Sequence, residues 1–292
     1  MSLREALDSG RFAITTEVGP LKGTDTSEIL EVAEILSGKV DGVNVTDQQS
    51  AVMRLGSLAT CAILVEKGLD PVFQITCRDR NRIALQSDLL SASVLGIKSV
   101  LVISGDFPTL GDHIDAKDVY DLDSEQLIWT INRMNEGYDL AGNELQGKTD
   151  LLIGAVVKPV SDTEESFELQ LAMMEKKISV GARFFQTQAV YDVDAFEQFM
   201  RRAEQFRVPV LAGVIPLKSA GMARYMNKNV SGVFVPESMI ADMAKAKDKT
   251  AKGLQVTARL INDLKDLCRG IHMMAIGWEK KVPEILELAN LA

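Results

Sequence analysis

Apolar residues along the chain follow two alternating spacings. Short runs rich in β-branched residues recur eight times: FAITTEV (12–18), DGVNVT (41–46), PVFQITC (71–77), SVLVISG (99–105), DLLIGAVV (150–157), RFFQTQAV (183–190), VPVLAGVI (208–215) and IHMMAIG (271–277). Most are nearly continuous in apolar character, the pattern of parallel strands covered on both faces. Between them apolar residues return every three or four positions. In TSEILEVAEILSG (26–38), Ile29, Val32, Ala33, Ile35 and Leu36 make one helical stripe, with Thr26 as N-cap and Gly38 as terminator. Segments 50–68, 81–96, 124–137, 164–181 and 193–206 read the same way. Eight strands alternating with helices predict an α/β fold, a (β/α)8 TIM barrel rather than an open doubly wound sheet.

Two regions exceed a minimal barrel. Residues 138–149 read as a polar turn or hairpin, and extra helices are expected near the C-terminus: one in 218–229, one led by Pro236, one over 253–268, and a closing helix with Pro283 near its start. No Ser/Pro-rich linker, low-complexity tract or repeat interrupts the pattern, which predicts one domain over 1–292.

In such a barrel, chemistry is built where strands end and loops begin. The expected strand ends carry Thr15, Thr16 and Glu17; Asn44, Thr46 and Asp47; Gln74, Thr76, Cys77 and Arg78; Ser104, Gly105 and Asp106; then Lys158; then Gln186, Thr187 and Gln188. An acid at a strand end is most often a turn former or helix cap. A Gln inside an apolar strand is rarer, because a buried amide must find partners. Gln186 and Gln188 share strand parity and are expected to point together into the barrel mouth.

Familiar motifs are absent: GxGxxG after a strand, a P-loop, GxSxG and HExxH do not occur. With two histidines, His113 and His272, a histidine-rich metal site is excluded. The acid-rich run DHIDAKDVYDLDSE lacks the spacing and glycine of a calcium loop, so it reads as a solvated loop and no metal is expected. Cys77 beside Arg78 lacks an obvious base and reads as a packed thiol. The three cysteines are scattered and fit a reducing cytoplasm. The start of the chain lacks a signal-peptide pattern and no apolar run reaches bilayer length, so neither secretion nor a membrane span is expected. With 41 acidic against 32 basic residues the net charge is −9, which disfavours nucleic acid and anionic membranes as partners.

The motifs resemble the methylenetetrahydrofolate reductase family across nearly the whole chain. TTEVGPLKGTD is similar to its Glu-bearing first strand and GVNVTD to its Thr-bearing second. QITCRDRNRIALQSDLL, SGDFP, VGARFFQTQAVYD, LAGVIPL and GIHMMAIGW follow in the family's order. The form CRDRNR, with DVYDLDS after the Asp turn, resembles bacterial branches of one-carbon metabolism, acetogens included. The resemblance implies a cytoplasmic flavoprotein that reduces 5,10-methylenetetrahydrofolate to 5-methyltetrahydrofolate, with FAD as cofactor and FMN as the alternative. It implies Glu17 as general acid and Asp106 between flavin and pterin, with Gln188 holding the pterin and Gln186 beside it. It implies Thr46, Gln74, Thr76, Ser104, Gly105, Asp106, Lys158 and Lys177 around the flavin.

The departures concern the electron donor. Ala220 and Gly221 stand where many relatives have an aromatic, and Ile276-Gly277-Trp278 replaces a Leu-Asn-Arg run. Losing that arginine points to a partner protein, rather than NAD(P)H, as electron source, and to an oligomer or hetero-complex. The competing readings are a flavin-free pterin-binding methyltransferase and a flavin electron-transfer subunit without folate turnover. Intact Glu17, Asp106 and Gln188 argue against the latter.

Overall fold

The computed structural model describes residues 2–161, 163–230 and 232–291. Eight strands, β1 (Ala13–Val18), β2 (Gly42–Val45), β3 (Pro71–Thr76), β4 (Ser99–Ile103), β5 (Leu152–Val157), β6 (Phe184–Ala189), β7 (Val210–Val214) and β8 (Gly270–Met273), run parallel in chain order. β1 pairs with β8, Thr15 opposite His272, and closes the barrel. Each strand is a residue or more shorter than its apolar run, because the flanking residues already turn toward a helix.

The outer layer follows the predicted stripes: α2 (Ser27–Leu36), α3 (Ser57–Glu66), α4 (Arg82–Val94), α5 (Ser124–Glu136), α6 (Glu164–Ser179) and α7 (Val193–Ala203). α8 (Ala220–Asn229), α9 (Glu237–Lys245), α10 (Lys249–Leu264) and α11 (Val282–Leu288) complete the C-terminal third. Strand residues of one parity, such as Ile75, Val100, Ile153 and Phe185, pack on helix residues such as Leu36, Leu64, Leu89 and Ile131. Fully burying each such side chain is worth about 1.5–3 kcal/mol.

Residues of the other parity point inward and fill the barrel in layers. Near the strand starts Ala13, Val72, Leu101, Leu152, Phe184 and Leu211 form an apolar plug. Gly154 is required there, since a Cβ on it would collide with the Phe184 ring. Beneath the plug lies α1 (Leu3–Asp8), contributing Leu3, Ala6 and Leu7. The apolar pattern predicts no helix before β1, because six residues are too few to show a stripe. The signal is instead a capping box, Ser2 with Glu5.

Two other expectations change. Residues 50–56 are not α-helical: α3 starts at Ser57, after a distorted 3-10 turn (Gln49–Ala51) around which Gln48, Ser50 and Ala51 have positive φ. The Gln48 amide brackets Arg54, accepting from its N–H at 2.7 Å and donating to its carbonyl at 3.2 Å, so this stretch takes its hydrogen bonds outside a helix. Ala51 also lies against Gly111, which has no room for a side chain. Thr26 sits at the N-cap of α2 without a side-chain cap bond; Asp25 accepts from the Ser27 N–H instead, at 3.0 Å. Residues 138–149 do form a turn with one antiparallel bridge, Tyr138 to Glu144. Among the described residues no helix is long and apolar enough to cross a membrane.

Candidate active site

Above the plug the barrel interior becomes polar. Thr15, Asn44, Gln186 and His272, from β1, β2, β6 and β8, are buried side by side. Asn44 and Gln186 exchange amide hydrogen bonds, Asn44 Nδ2 to Gln186 Oε1 at 2.8 Å and Gln186 Nε2 to Asn44 Oδ1 at 3.1 Å. Gln186 Nε2 also reaches Thr15 Oγ1 at 3.3 Å, and Thr15 Oγ1 lies 3.0 Å from His272 Nδ1. Gln186 points inward, its amide committed to this layer, but β6 shifts register against β7 between Gln186 and Ala189, so the shared parity with Gln188 does not carry through. Gln188, within the irregular end of β6, is half-buried.

Glu17 sits one period above Thr15, its side chain 12% exposed. Gln74 Nε2 donates to its Oε2 at 3.3 Å, and His272 Nε2 lies 3.7 Å from the same oxygen. Gln74 therefore supports Glu17 directly. Of the expected strand-end residues, Thr15, Glu17, Asn44, Gln74 and Gln186 are joined by contacts here, together with His272.

The β2–β3 side is rigidly wired. Asp47 is buried and accepts from Thr76 N and Oγ1, both at 2.9 Å, from Ser57 Oγ at 3.3 Å and from Arg80 at 2.6 Å. The Thr76 hydroxyl is thus spent on Asp47, while its methyl faces Gly105. Thr46 lies beside this network, its Oγ1 buried and without a partner among the described residues.

The turn after β4 is held from both sides. Gly105 has φ +89°, a conformation that favours glycine, and a Cβ there would sit 3.1 Å from Cβ of both Thr76 and Arg78. Tyr120 donates to the Gly105 carbonyl at 3.0 Å, and Arg78 donates to the Asp106 carbonyl at 3.1 Å. The buried Arg78 guanidinium is completed by Asp79 and the Gln48 carbonyl. Ser104 and the Asp106 side chain remain exposed. The acid-rich loop beyond is tied across the rim by Asp112, which pairs with Lys22, hydrogen-bonds His113 and accepts from Met53 N at 3.1 Å. The Lys22 contact first, then His113, holds the Asp112 carboxyl below the usual range. A cleft of about 370 Å³ opens beside this loop, lined by Gln48, Val52, Arg78, Arg80 and His113 among others.

Lys177 is not an exposed helical turn. It is 6% exposed, and Nζ donates to the Val156 carbonyl at 3.0 Å. Burial pushes its ammonium below the ordinary lysine range, against the pull of Glu125. Lys176 and Lys158 are exposed. Burial drives the Cys77 thiol up to about 12, which fits a packed residue and not a nucleophile.

Sequence reading alone missed the roles of His272, Arg78 and Tyr120. For His272 a signal existed, an inward-parity polar residue in an otherwise apolar strand. For Arg78 and Tyr120 none did, since their partners are the backbone of a turn distant in sequence.

Comparison with known proteins follows the same order of strands and turns. The methylenetetrahydrofolate reductase family matches over residues 2–290. The chain belongs to the methylenetetrahydrofolate reductase family. A probable methylenetetrahydrofolate reductase (NADPH) of Caenorhabditis elegans is 23% identical over 235 residues, covering 77% of this chain and 33% of that protein. Methylenetetrahydrofolate reductase 2 of Schizosaccharomyces pombe is 24% identical over 259 residues, covering 81% of this chain and 39% of its own. The chain thus spans between a third and two fifths of these relatives' length. In fold it resembles a Clostridium thermocellum protein described as binding two copies of 5-methyl-5,6,7,8-tetrahydrofolic acid, with TM-score 0.69, 17% identity, and coverage of 99% and 98%.

Proposed function

We propose that this protein reduces 5,10-methylenetetrahydrofolate to 5-methyltetrahydrofolate at the barrel mouth, using a bound flavin, with FAD favoured over FMN. The observation that carries the reading is Glu17. It is a nearly buried carboxyl at the end of β1, supported from below on one oxygen, in a member of the methylenetetrahydrofolate reductase family. The fold likeness to a protein that binds a methylated folate supports the same substrate class.

The residues fit a flavin. Thr46 Oγ1 is a buried hydroxyl oxygen with no partner among the described residues. Gly105 leaves the turn after β4 without a side chain where a flat ring can approach. Lys177 offers a buried ammonium whose hydrogen bond goes to a backbone carbonyl, a charge suited to a phosphate. Thr46, Gln74, Thr76, Ser104, Gly105, Lys158 and Lys177 are the residues that would hold the group, with Asp106 between it and the pterin. When bound, the flavin supplies the hydride.

The chain's own residues do the rest. Gln188 holds the pterin through its amide donor and acceptor, and Asp106 binds the pterin edge. Glu17 gives its proton to N10 of the folate as the bond between N10 and the bridging carbon breaks. That leaves an iminium at N5, and addition of one hydride to its carbon yields the N5-methyl group. A nearly buried, prepositioned carboxyl serves such a step because little reorganisation is needed when the proton moves.

The electron donor is proposed to be a partner protein. At the end of β8 the Ile276 carbonyl accepts from Lys218, whose ammonium also lies 5.7 Å from the Trp278 ring centre. Trp278 fills the space beside Gly253. The segment thus offers no arginine for a dinucleotide phosphate.

The visible spectrum of purified protein, followed on mixing with methyltetrahydrofolate, tests the reading. A flavin spectrum that bleaches is expected. Colourless protein that takes up neither FAD nor FMN would refute it and leave the flavin-free methyltransferase reading. Rapid reduction of the flavin by NADH alone would refute the partner donor.

A further inference from the structure

A histidine inside the barrel, buried beneath the carboxyl assigned as proton donor, has no role in the reading above. His272 lies on β8 between Thr15 on β1 and Gly213 on β7 in the strand register. Its ring nitrogens face two different groups, Nδ1 at 3.0 Å from Thr15 Oγ1 and Nε2 at 3.7 Å from Glu17 Oε2.

We propose that His272 is a positioning residue for Glu17, fixing which carboxyl oxygen carries the transferable proton. The inference rests on Glu17 being the proton donor. Gln186, held by its amide exchange with Asn44, donates to Thr15 Oγ1, so the Thr15 hydroxyl proton must go elsewhere. Two acceptors are in reach, the Ile271 carbonyl at 3.2 Å and His272 Nδ1 at 3.0 Å. Donation to the nearer Nδ1 leaves the imidazole proton on Nε2, aimed at Glu17 Oε2.

Gln74 Nε2 donates to the same oxygen. With donors from Gln74 and His272, Oε2 is held as the accepting, carbonyl oxygen of the carboxyl. The acidic proton then resides on Oε1, which no hydrogen bond among the described residues engages. The 3.7 Å separation is a resting distance of the kind that tightens when substrate binds. After proton transfer the two donors hold the carboxylate that forms, in a setting where water would otherwise have to do so. Asn44 and Gln186 thereby act on the reaction from below the mouth, through Thr15 and His272.

The decisive variants are His272→Leu, which removes the donor, and His272→Gln, whose amide N–H falls near the Nε2 position. Infrared difference spectra of wild type minus Glu17→Gln isolate the Glu17 carboxyl band whether or not the protein turns over folate. His272→Leu is expected to shift that band and His272→Gln to restore it; an unmoved band overturns the proposal. In turnover, His272→Leu should lower kcat on the order of 10–100-fold, the worth of one hydrogen bond to a charged group. KM for the folate and flavin content should stay within about twofold. In the Glu17→Gln background the His272→Leu change should add nothing. A further loss in that background, or an effect confined to KM or flavin content, would show a purely structural histidine. A band that moves in His272→Leu, in a protein whose wild type never reduces folate, would instead sink the assigned reaction while leaving the contact in place.

Discussion

The two ends of the barrel interior are built from the same strands on opposite principles. At the floor, Ala13, Val72, Leu101, Leu152, Phe184 and Leu211 meet α1 in one apolar cluster. One strand period higher, Thr15, Asn44, Gln74, Gln186 and His272 are equally buried yet polar, and each has hydrogen-bond partners. Floor residues contribute through transfer from water and close packing, which are non-directional. The polar layer gains little net stability from its hydrogen bonds, because the unfolded chain makes equivalent bonds to water. What it gains is direction. The floor therefore belongs to folding, and the layer above it to whatever acts at Glu17.

Substitutions can break this division or sharpen it. The largest effect is expected at the mouth: Glu17→Gln should reduce folate turnover by about 100-fold or more while the flavin stays bound. Its urea midpoint should imply a stability change within about 1 kcal/mol. Phe184→Ala at the floor should do the converse, costing about 3–5 kcal/mol in urea unfolding while the folded fraction keeps its turnover number. Loss of turnover with little loss of stability in Phe184→Ala would erase the distinction.

Lys177→Met tests a group that serves binding against stability. Burial lowers the lysine's folded-state pKa, so the unfolded chain holds that proton more tightly and wild-type stability rises with pH toward the ordinary lysine value. The flavin-free variant should be more stable than wild type near neutrality, with the gap closing as pH rises through that window. The same variant should retain flavin less well on gel filtration. A gap that widens with pH would show the sign to be wrong. The smallest effect belongs to Tyr120→Phe, which removes one hydrogen bond to the Gly105 carbonyl at the site's edge. About 1 kcal/mol of stability is expected to go, read by thermal unfolding, with a modest rise in KM.

The legible parts of this molecule were the local ones. Apolar runs of strand length and helical stripes predicted the barrel, and strand-end chemistry drew attention to Glu17, Thr46, Gly105 and Asp106. The residues whose surroundings stayed hidden were those whose partners lie far along the chain. Gln186 reads as a ligand at the mouth, yet its amide is matched by Asn44, 142 residues away. Lys177 reads equally well as solvent-exposed, because one charged residue in a helix says nothing of which side is covered. Residues 50–56 read as helix, until the bracket between Gln48 and Arg54 and the contact of Ala51 with Gly111 supply what local spacing does not record.

The sequence by itself determined the alternation of strand and helix, the parity that divides each strand into helix-facing and inward residues, and membership of the family. These follow from periodicity and from motifs short enough to be read in one stretch. Only the tertiary structure decided that His272 lies under Glu17, that Arg78 and Tyr120 hold the turn bearing Asp106, and that Gln186 exchanges hydrogen bonds with Asn44. The turn contacts follow the β3–β4 pair, whereas those of His272 and Gln186 depend on closing the barrel through the β1–β8 pair, which brings Thr15 and His272, 257 residues apart, within hydrogen-bond distance. A hydrogen bond is fixed by distance and angle, and neither exists until the ring of strands is complete.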